Sequence, residues 1–336
     1  MSIAQSIQAR LVENTALEKI GKIYTQQSQP QRAIPLLQQA FAIAQQTGRK
    51  PDQAAILRDL AQAQLKLGQV REAQRNLQQS IAIARETGDA PIEAGSLSIL
   101  AESFKSQPEL AIVFYKQSVN LTEEIRKGLR TLPRNEQESY TQAVATTYRD
   151  LADLLMAQGR LAEAQKVLEL LKIQELQEFS RGTPIESKTS IALFQSEQDI
   201  LKKYGTITAF AQKLDECEQT KCPQLKELRS QLNQLNAAFI DEASAFRKEL
   251  QSRLGQDPGA ITADQVGNTA DKIVAESGTA MIYPVVLKDK IRILYAVKAR
   301  ETSKRAAVAV FRTFEIPKVG QEQLYERVYR IHLTSF

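Results

Sequence analysis

A step of forty residues organises the first half of this chain. Leu17, Ile20, Gly21 and Tyr24 return forty residues later as Leu57, Leu60, Ala61 and Gln64, and forty later again as Leu97, Leu100, Ala101 and Phe104. The second halves keep the step: Ala33, Leu37 and Ala40 become Ala73, Leu77 and Ser80, and AIAQQTG (42–48) becomes AIARETG (82–88). A fourth copy follows in shifted register, with Tyr148, Leu151, Ala152 and Leu155, then Ala164, Leu168 and Leu171. Twelve residues separate the small residue of the first half from that of the second in copies one, two and four. The third copy is two shorter, giving Ala111, Tyr115 and Ser118.

Large apolar residues at i, i+3 and i+7 form one stripe of a helix. A Gly or Ala beside that stripe lets a second helix approach closely, and the second helix returns an Ala at the crossing. GQVREAQ (68–74) and GRLAEAQ (159–165) supply a Gly that ends one helix and opens the short turn into the next. Such a pair cannot bury its apolar face alone, so pairs must stack into a solenoid. Only 14 Gly and 11 Pro in 336 residues agree with a chain that is mainly helix.

These residues resemble the tetratricopeptide repeat. Leu17, Leu57, Leu97 and Tyr148 stand at its bulky first position, Gly21, Ala61, Ala101 and Ala152 at its small position, and Ala33, Ala73, Ala111 and Ala164 at its second-helix Ala. The departures are a missing Trp, a missing terminal Pro and a period longer than the usual length of about 34 residues. In that family the first helices line a concave groove. The positions one place beyond the bulky and small residues would then face it: Glu18 and Lys22, Arg58 and Gln62, Ser98 and Glu102, Arg149 and Asp153. They read either as a polar groove gripping a peptide or neighbouring domain, or as a solvated helix face with internal ion pairs.

Between copies three and four lies SVNLTEEIRKGLRTLPRNEQESYTQAV, where Pro133 stops one helix and Asn135 with Glu138 forms a capping box for the next. RGTPIESKTS (181–190) is a Gly, Pro and Ser/Thr break that closes the solenoid, residues 1–180. Residues 191–254 read as an antiparallel helical hairpin, with Leu225, Leu228, Leu232, Leu235, Phe239, Phe246 and Leu250 marking the second helix. Cys217 and Cys222 sit at its turn. With four intervening residues and no nearby His they do not make a metal site. They are two surface thiols or, in an oxidising compartment, a disulfide clamping the turn.

After LGQDPGAITADQVGNTA the character changes. Residues 280–287 (AMIYPVVL) form a β-branched and aromatic run, Lys288–Asp289–Lys290 a polar turn, and Ile291, Ile293 and Tyr295 alternate beyond it, which are hairpin signals. Pro284 assigns the first strand to an edge or a bulge. A third strand is expected over 307–315 (AVAVFRTFE), and IPKVGQEQLYERVYRIHL then opens a helix. Apolar strands short of partners make residues from about 276 onward the expected weakest unit.

The order of these segments resembles proteins carrying a CHAT domain, a caspase-like cysteine peptidase fold. The resemblance covers residues 130–336, most specifically YRDLADLLMAQGRLAEAQKVLELLKIQELQEFSRG, with an Ala-rich helix leading into GTAMIYPVVLKDKIRILYAV over residues 270–336. It implies that the strand pair opens an α/β domain. The family's catalytic His and Cys lie at the ends of later strands. Here the only His is His332, and both cysteines precede the domain, so the resemblance supplies no catalytic residue. GxGxxG, P-loop, CxxC and HExxH patterns are absent as well, and no cofactor is implied.

From residue 280 onward 11 Lys and Arg face 5 Asp and Glu, so the +5 of the whole chain belongs to that tail. Lys288, Lys290 and Arg292 alternate along strands, as on a solvated strand face, and no nucleic-acid partner is expected. No run of 18 apolar residues could span a membrane, and MSIAQSIQARLVEN is not a secretory signal, which points to the cytoplasm.

The expected fold is therefore mainly α: a tetratricopeptide-repeat α-solenoid, a helical hairpin and an incomplete α/β CHAT-like segment. The expected function is a protein-interaction scaffold, not an enzyme. Its groove would take a protein or peptide, or a C-terminal domain of its own that is missing here. The alternative is the regulatory N-terminal portion of a CHAT cysteine peptidase whose catalytic part is missing from this chain. A third possibility is a sensor that releases a peptidase when its groove is filled.

Overall fold

The computed structural model describes residues 3–129, 131–179, 190–256, 280–287, 289–298 and 309–319. The helix expected after Ile316, the Ala-rich helix expected before the first strand, His332 and most of the breaks at 181–190 and 254–270 lie outside the described residues. By contacts the chain divides into two units that cut across sequence order: residues 1–127 with 193–248, and 128–192 with 249–336.

The first unit holds α1 (Ile3–Gln26), α2 (Pro30–Gln46), α3 (Lys50–Lys66), α4 (Val70–Thr87), α5 (Ala90–Ser103) and α6 (Pro108–Leu129), the last running two residues past the unit boundary. Gly48, Gly68 and Gly88 close their helices in the left-handed region, with φ of 67°, 74° and 69°. Ser28 takes that conformation in the first copy, at φ 57°, where the second copy has Gly68.

The small residues sit where the repeat requires them. Ala33, Ala61, Ala73, Ala101 and Ala111 are all 0% exposed. A Cβ added at Gly21 would come within 2.7 Å of Leu37 Cγ, so α1 and α2 cross at van der Waals distance. Ala33, Leu37, Ala40, Ala44, Ile56, Leu60 and Ala63 form one core cluster, with Leu17 and Tyr24 packed on it. Each fully buried Leu or Ile there contributes about 1.5–3 kcal/mol.

Where a Ser replaces the Ala of the second helix, its hydroxyl is satisfied across the helix pair. Ser80 Oγ donates to Ala54 O at 2.7 Å, and Ser118 Oγ to Ala94 O at 2.8 Å. The donors are 38 residues apart and the acceptors forty, which is the two-residue shortening of the third copy appearing in three dimensions.

The remaining helices of this unit, α9 (Gln195–Thr220) and α10 (Leu225–Gln256, of which residues to 248 belong here), form an antiparallel hairpin. It packs on the repeats. Phe104, Phe114, Tyr204 and Phe239 make an aromatic cluster, with centroids 5.4 Å apart for the Phe104–Phe114 stack and 4.8 Å for the Phe114–Tyr204 edge contact. Lys116 on α6 and Glu197 on α9 are both 0% exposed, with Nζ 2.8 Å from Oε2 and 3.1 Å from Oε1. The same Oε2 accepts the Phe194 backbone N–H at 2.9 Å, capping α9. Cys217 and Cys222 are joined as a disulfide across the α9–α10 turn, their Cα atoms 4.8 Å apart.

The second unit contains α7 (Arg134–Ala157), α8 (Leu161–Phe179), β1 (Ala280–Val286), β2 (Lys290–Lys298) and β3 (Ala309–Pro317). Helix α7 begins at Arg134 with Pro133 as its N-cap, so the expected cap Asn135 lies inside the first turn. Tyr148, Leu151, Ala152, Leu155 and Ala164 are 0% exposed, and Gly159 at φ 74° makes the turn. The strands are antiparallel in the order β1-β2-β3, with Tyr283 opposite Leu294 and Arg292 opposite Glu315. Among the described strands, Pro284 accordingly lies at an edge of the sheet. The strands expected to lack partners have them: Tyr283, Val285 and Leu294 are buried on the face toward α7 and α8. The opposite face carries Ile282 and Phe314, 64% and 60% exposed.

Candidate partner-binding groove

Helices α1, α3 and α5, the first helices of three successive repeats, lie side by side with α3 in the middle. Lys66 Nζ ties α3 to α1 by donating to Thr25 O at 2.6 Å. Gly95 on α5 faces Arg58, whose Cδ would stand 3.4 Å from an added Cβ, so the missing side chain leaves room for the arginine stem.

On this surface the structure brings Glu18 and Arg58 together. Arg58 donates from Nε and Nη2 to Asp59 Oδ1, at 2.9 and 2.8 Å. Glu18 is half-buried, and its carboxyl pKa is raised above the ordinary value. Burial is the main cause and Asp59 adds to it; Arg58 opposes, Asp52 raises it further and Lys19 opposes. Asn14 Nδ2 donates to Asp52 Oδ2 at 3.3 Å. Two buried oxygens remain without a donor among the described residues, Asn14 Oδ1 and Asp59 Oδ2, on residues 1% and 3% exposed.

Farther along the same helices Lys22 and Glu102 are exposed, and Gln62 and Ser98 are half-buried. Arg149 and Asp153 belong to the second unit. Asp153 there is engaged by the sheet, accepting from Arg292 Nε at 2.5 Å and pairing with Lys290 at 3.2 Å. Arg292 also donates to Glu315 Oε2 at 2.6 Å, so a first-helix position of the fourth repeat is bound by the chain's own β2. Tyr283, whose hydroxyl lies 3.4 Å from Glu169 Oε1, packs nearby, and burial pushes its pKa up to about 12.

The spacing had no means of selecting Asn14, Asp52, Asp59 or Gly95. Asp59 left one trace, a charge set between Leu57 and Leu60 of the apolar stripe. Among the described residues no cluster of His, Cys, Asp or Glu could hold a metal ion, and no helix is long and apolar enough to cross a membrane.

A family model of the tetratricopeptide repeat matches residues 12–86. The chain is similar to the solved nearly identical TPR-like repeats of a Podosopora anserina putative kinesin light chain. A form of those repeats with one substitution is 22% identical, covering 68% of this chain and 96% of that one at a TM-score of 0.38. A second structure of the repeats is 22% identical, covering 67% and 95% at a TM-score of 0.37. No curated protein matches the chain. Residues 12–86 thus match the tetratricopeptide repeat, and the fold that carries them is mainly α, helix pairs stacked as a solenoid.

Proposed function

We propose that this chain is a protein-interaction scaffold whose α1–α3–α5 surface takes a segment of a partner. The observation that carries the proposal is the unsatisfied polarity of that surface. Asn14 Oδ1 and Asp59 Oδ2 are buried without donors among the described residues, and Glu18 is held where its charged form is disfavoured. A buried acceptor left unpaired costs about 1–3 kcal/mol, a cost that a merely solvated face has no reason to carry. Arg49 pairs with Asp52 and Arg58 with Asp59, which leaves Glu18, on which both carboxylates act, as the acceptor without an ion pair among the described residues. A partner bringing an ammonium or guanidinium group fits it.

A photo-crosslinking residue placed at Gln62 on α3 tests this against the same residue at the exposed Gln38 on α2. Crosslinks should form from position 62 and not from 38. They should vanish in a Glu18→Lys/Arg58→Glu variant of unchanged helicity. Equal crosslinking from both positions, or crosslinking that survives the double charge reversal, overturns the groove.

A second reading is favoured by the sheet. Its face toward α7 and α8 is buried, yet Ile282 and Phe314 on the other face are also large and apolar. A sheet with two apolar faces belongs to the middle of a layered α/β domain. Together with the resemblance to CHAT proteins, this supports β1–β3 as the opening of a caspase-like domain regulated by the repeats. The coding sequence beyond Phe336 tests it: an open frame carrying a His and a Cys at strand ends supports the reading, and a frame without them overturns it.

A further inference from the structure

We propose that the cleft between α4, the α5–α6 turn and the α9–α10 hairpin binds an acidic peptide segment carrying an apolar side chain. This cleft lies on the second helix of its repeat, away from the first-helix groove, and its volume is about 810 Å³. Ligand-sized sites run to about 300–1,000 Å³. Every lining residue belongs to the first unit.

Its charge is lopsided. Arg71 and Arg75 come from α4 and Arg229 from α10. One carboxylate serves two of them: Glu218 Oε1 lies 3.2 Å from Arg75 Nη2 and 2.8 Å from Arg229 Nη2. Arg75 and Arg229 remain 62% and 56% exposed at their side chains, so both keep donors to offer. Arg71 is exposed and has no acidic partner among the described residues. An occupant with several carboxylates completes this set, and guanidinium groups hold carboxylates in bidentate fashion.

The floor is apolar. Phe104, Leu232 and Phe239 are buried beneath it, and Val70 and Ile240 stand at its rim 39% and 53% exposed. A partner's aliphatic or aromatic side chain would cover the rim pair. Between floor and arginines lie side-chain amides: Gln74 donates to Ser103 Oγ at 3.1 Å, and Gln78 to Asn236 Oδ1 at 3.2 Å. Amides in this position can pair with an extended backbone, which favours a peptide over a compact anion.

The site also holds an unsatisfied group. Tyr204 is 3% exposed and lines the cleft, yet its hydroxyl has no hydrogen bond among the described residues. Gln78 stands beside it, donating from Nε2 to Asn236 Oδ1 and lowering the tyrosine's pKa against the upward push of burial.

Fluorescence anisotropy of a labelled octapeptide of alternating Glu and Leu tests the proposal on the full chain. Alternating Lys–Leu and Glu–Ser octapeptides serve as controls. The Glu–Leu peptide should bind at least tenfold tighter than either control and weaken as salt rises. Arg71→Glu/Arg229→Glu should weaken it more than tenfold, whereas Arg58→Glu in the first-helix groove should leave it unchanged. Tyr204→Phe should raise the Tm of the free chain and weaken the peptide severalfold. Binding that survives the Arg71→Glu/Arg229→Glu change, equal binding of the Lys–Leu peptide, or loss with Arg58→Glu alone overturns the cleft. So does no binding at millimolar protein.

Discussion

Lys116→Met is the substitution that tests most directly how the α9–α10 hairpin is held to the repeats. Lys116 and Glu197 are each 0% exposed, and the Phe194 N–H still reaches Glu197 once the ammonium is gone. Removing one member of a buried pair leaves an uncompensated charge and costs about 3–5 kcal/mol. The surviving cap bond argues for the lower end, and Lys116 lies 4.9 Å from the Phe194 ring centroid, a cation–π contact worth about 0.5–2 kcal/mol that is lost as well. We therefore expect a loss of about 4 kcal/mol in the hairpin. Glu197→Gln keeps an acceptor for the cap while removing the charge, and should cost a similar amount alone. Combined with Lys116→Met it should recover more than half of the summed losses, because two neutral groups of similar volume then face each other. Two contact units make a single global unfolding energy ill-defined, so the assay is site-resolved hydrogen exchange over 195–248, with urea melts followed by helical circular dichroism beside it. A single-variant cost below about 1 kcal/mol, the size of an exposed pair, would refute the reasoning. So would strictly additive losses in the double variant.

Three further outcomes follow from individual contacts. Gly21→Ala places a Cβ 2.7 Å from Leu37 Cγ and should cost about 1–3 kcal/mol by overpacking, with Leu37→Val in the same chain restoring part of the thermal midpoint. Ser28→Gly relieves a non-glycine residue held at φ 57° and should stabilise the first repeat by about 1 kcal/mol in chemical denaturation, whereas Gly68→Ser at φ 74° should lose a like amount. Glu18 carries a raised carboxyl pKa, so the folded state binds its proton more tightly than the unfolded chain does. Stability from this group is full below the ordinary value of 4.5 and declines as pH rises through the folded pKa, and Glu18→Gln should therefore raise Tm more at neutral pH than in mild acid below that value. An increment that is larger in acid would reverse the sign of the argument.

The repeats were readable because each copy spells the same contact twice, once as the small residue of a first helix and once as the Ala it meets. Ala61 and Ala73, or Ala101 and Ala111, carry that information within a dozen residues. The strands were readable for a similar reason, since β-branched alternation around Lys288–Asp289–Lys290 is local. What stayed hidden is long-range. Lys116 closes the run LAIVFYK, where a lysine ordinarily means a solvent-facing turn of helix, and nothing nearby announces a carboxylate 81 residues on. The hairpin therefore read as a separate element, while its polar and aromatic faces are spent on α4 and α6. In the groove, Glu18 and Arg58 came from the repeat spacing together with the resemblance, which implies that first helices line a groove. Asn14 and Asp59 could not, because an unpaired buried oxygen is a property of packing and has no signature in spacing. The bond between Cys217 and Cys222 was open for the same reason: spacing permits a bridge, and the 4.8 Å between Cα atoms is what allows it to close.

The pairing of Asp153 with Arg292 spans 139 residues, and that separation sets a clock during synthesis. At about 5–20 residues per second, roughly 7–28 s pass between the emergence of the aspartate and that of its arginine. Through that interval α7 stands complete with Asp153 lacking its β2 partners, while residues 193–248 emerge and join the first unit. A nascent chain halted before β2 should accordingly present Asp153 to carboxylate-labelling reagents, and one extended past Arg292 should protect it. The strand thus arrives as the last claimant on a surface already open to others, and any basic segment present earlier competes with it for the same carboxylate.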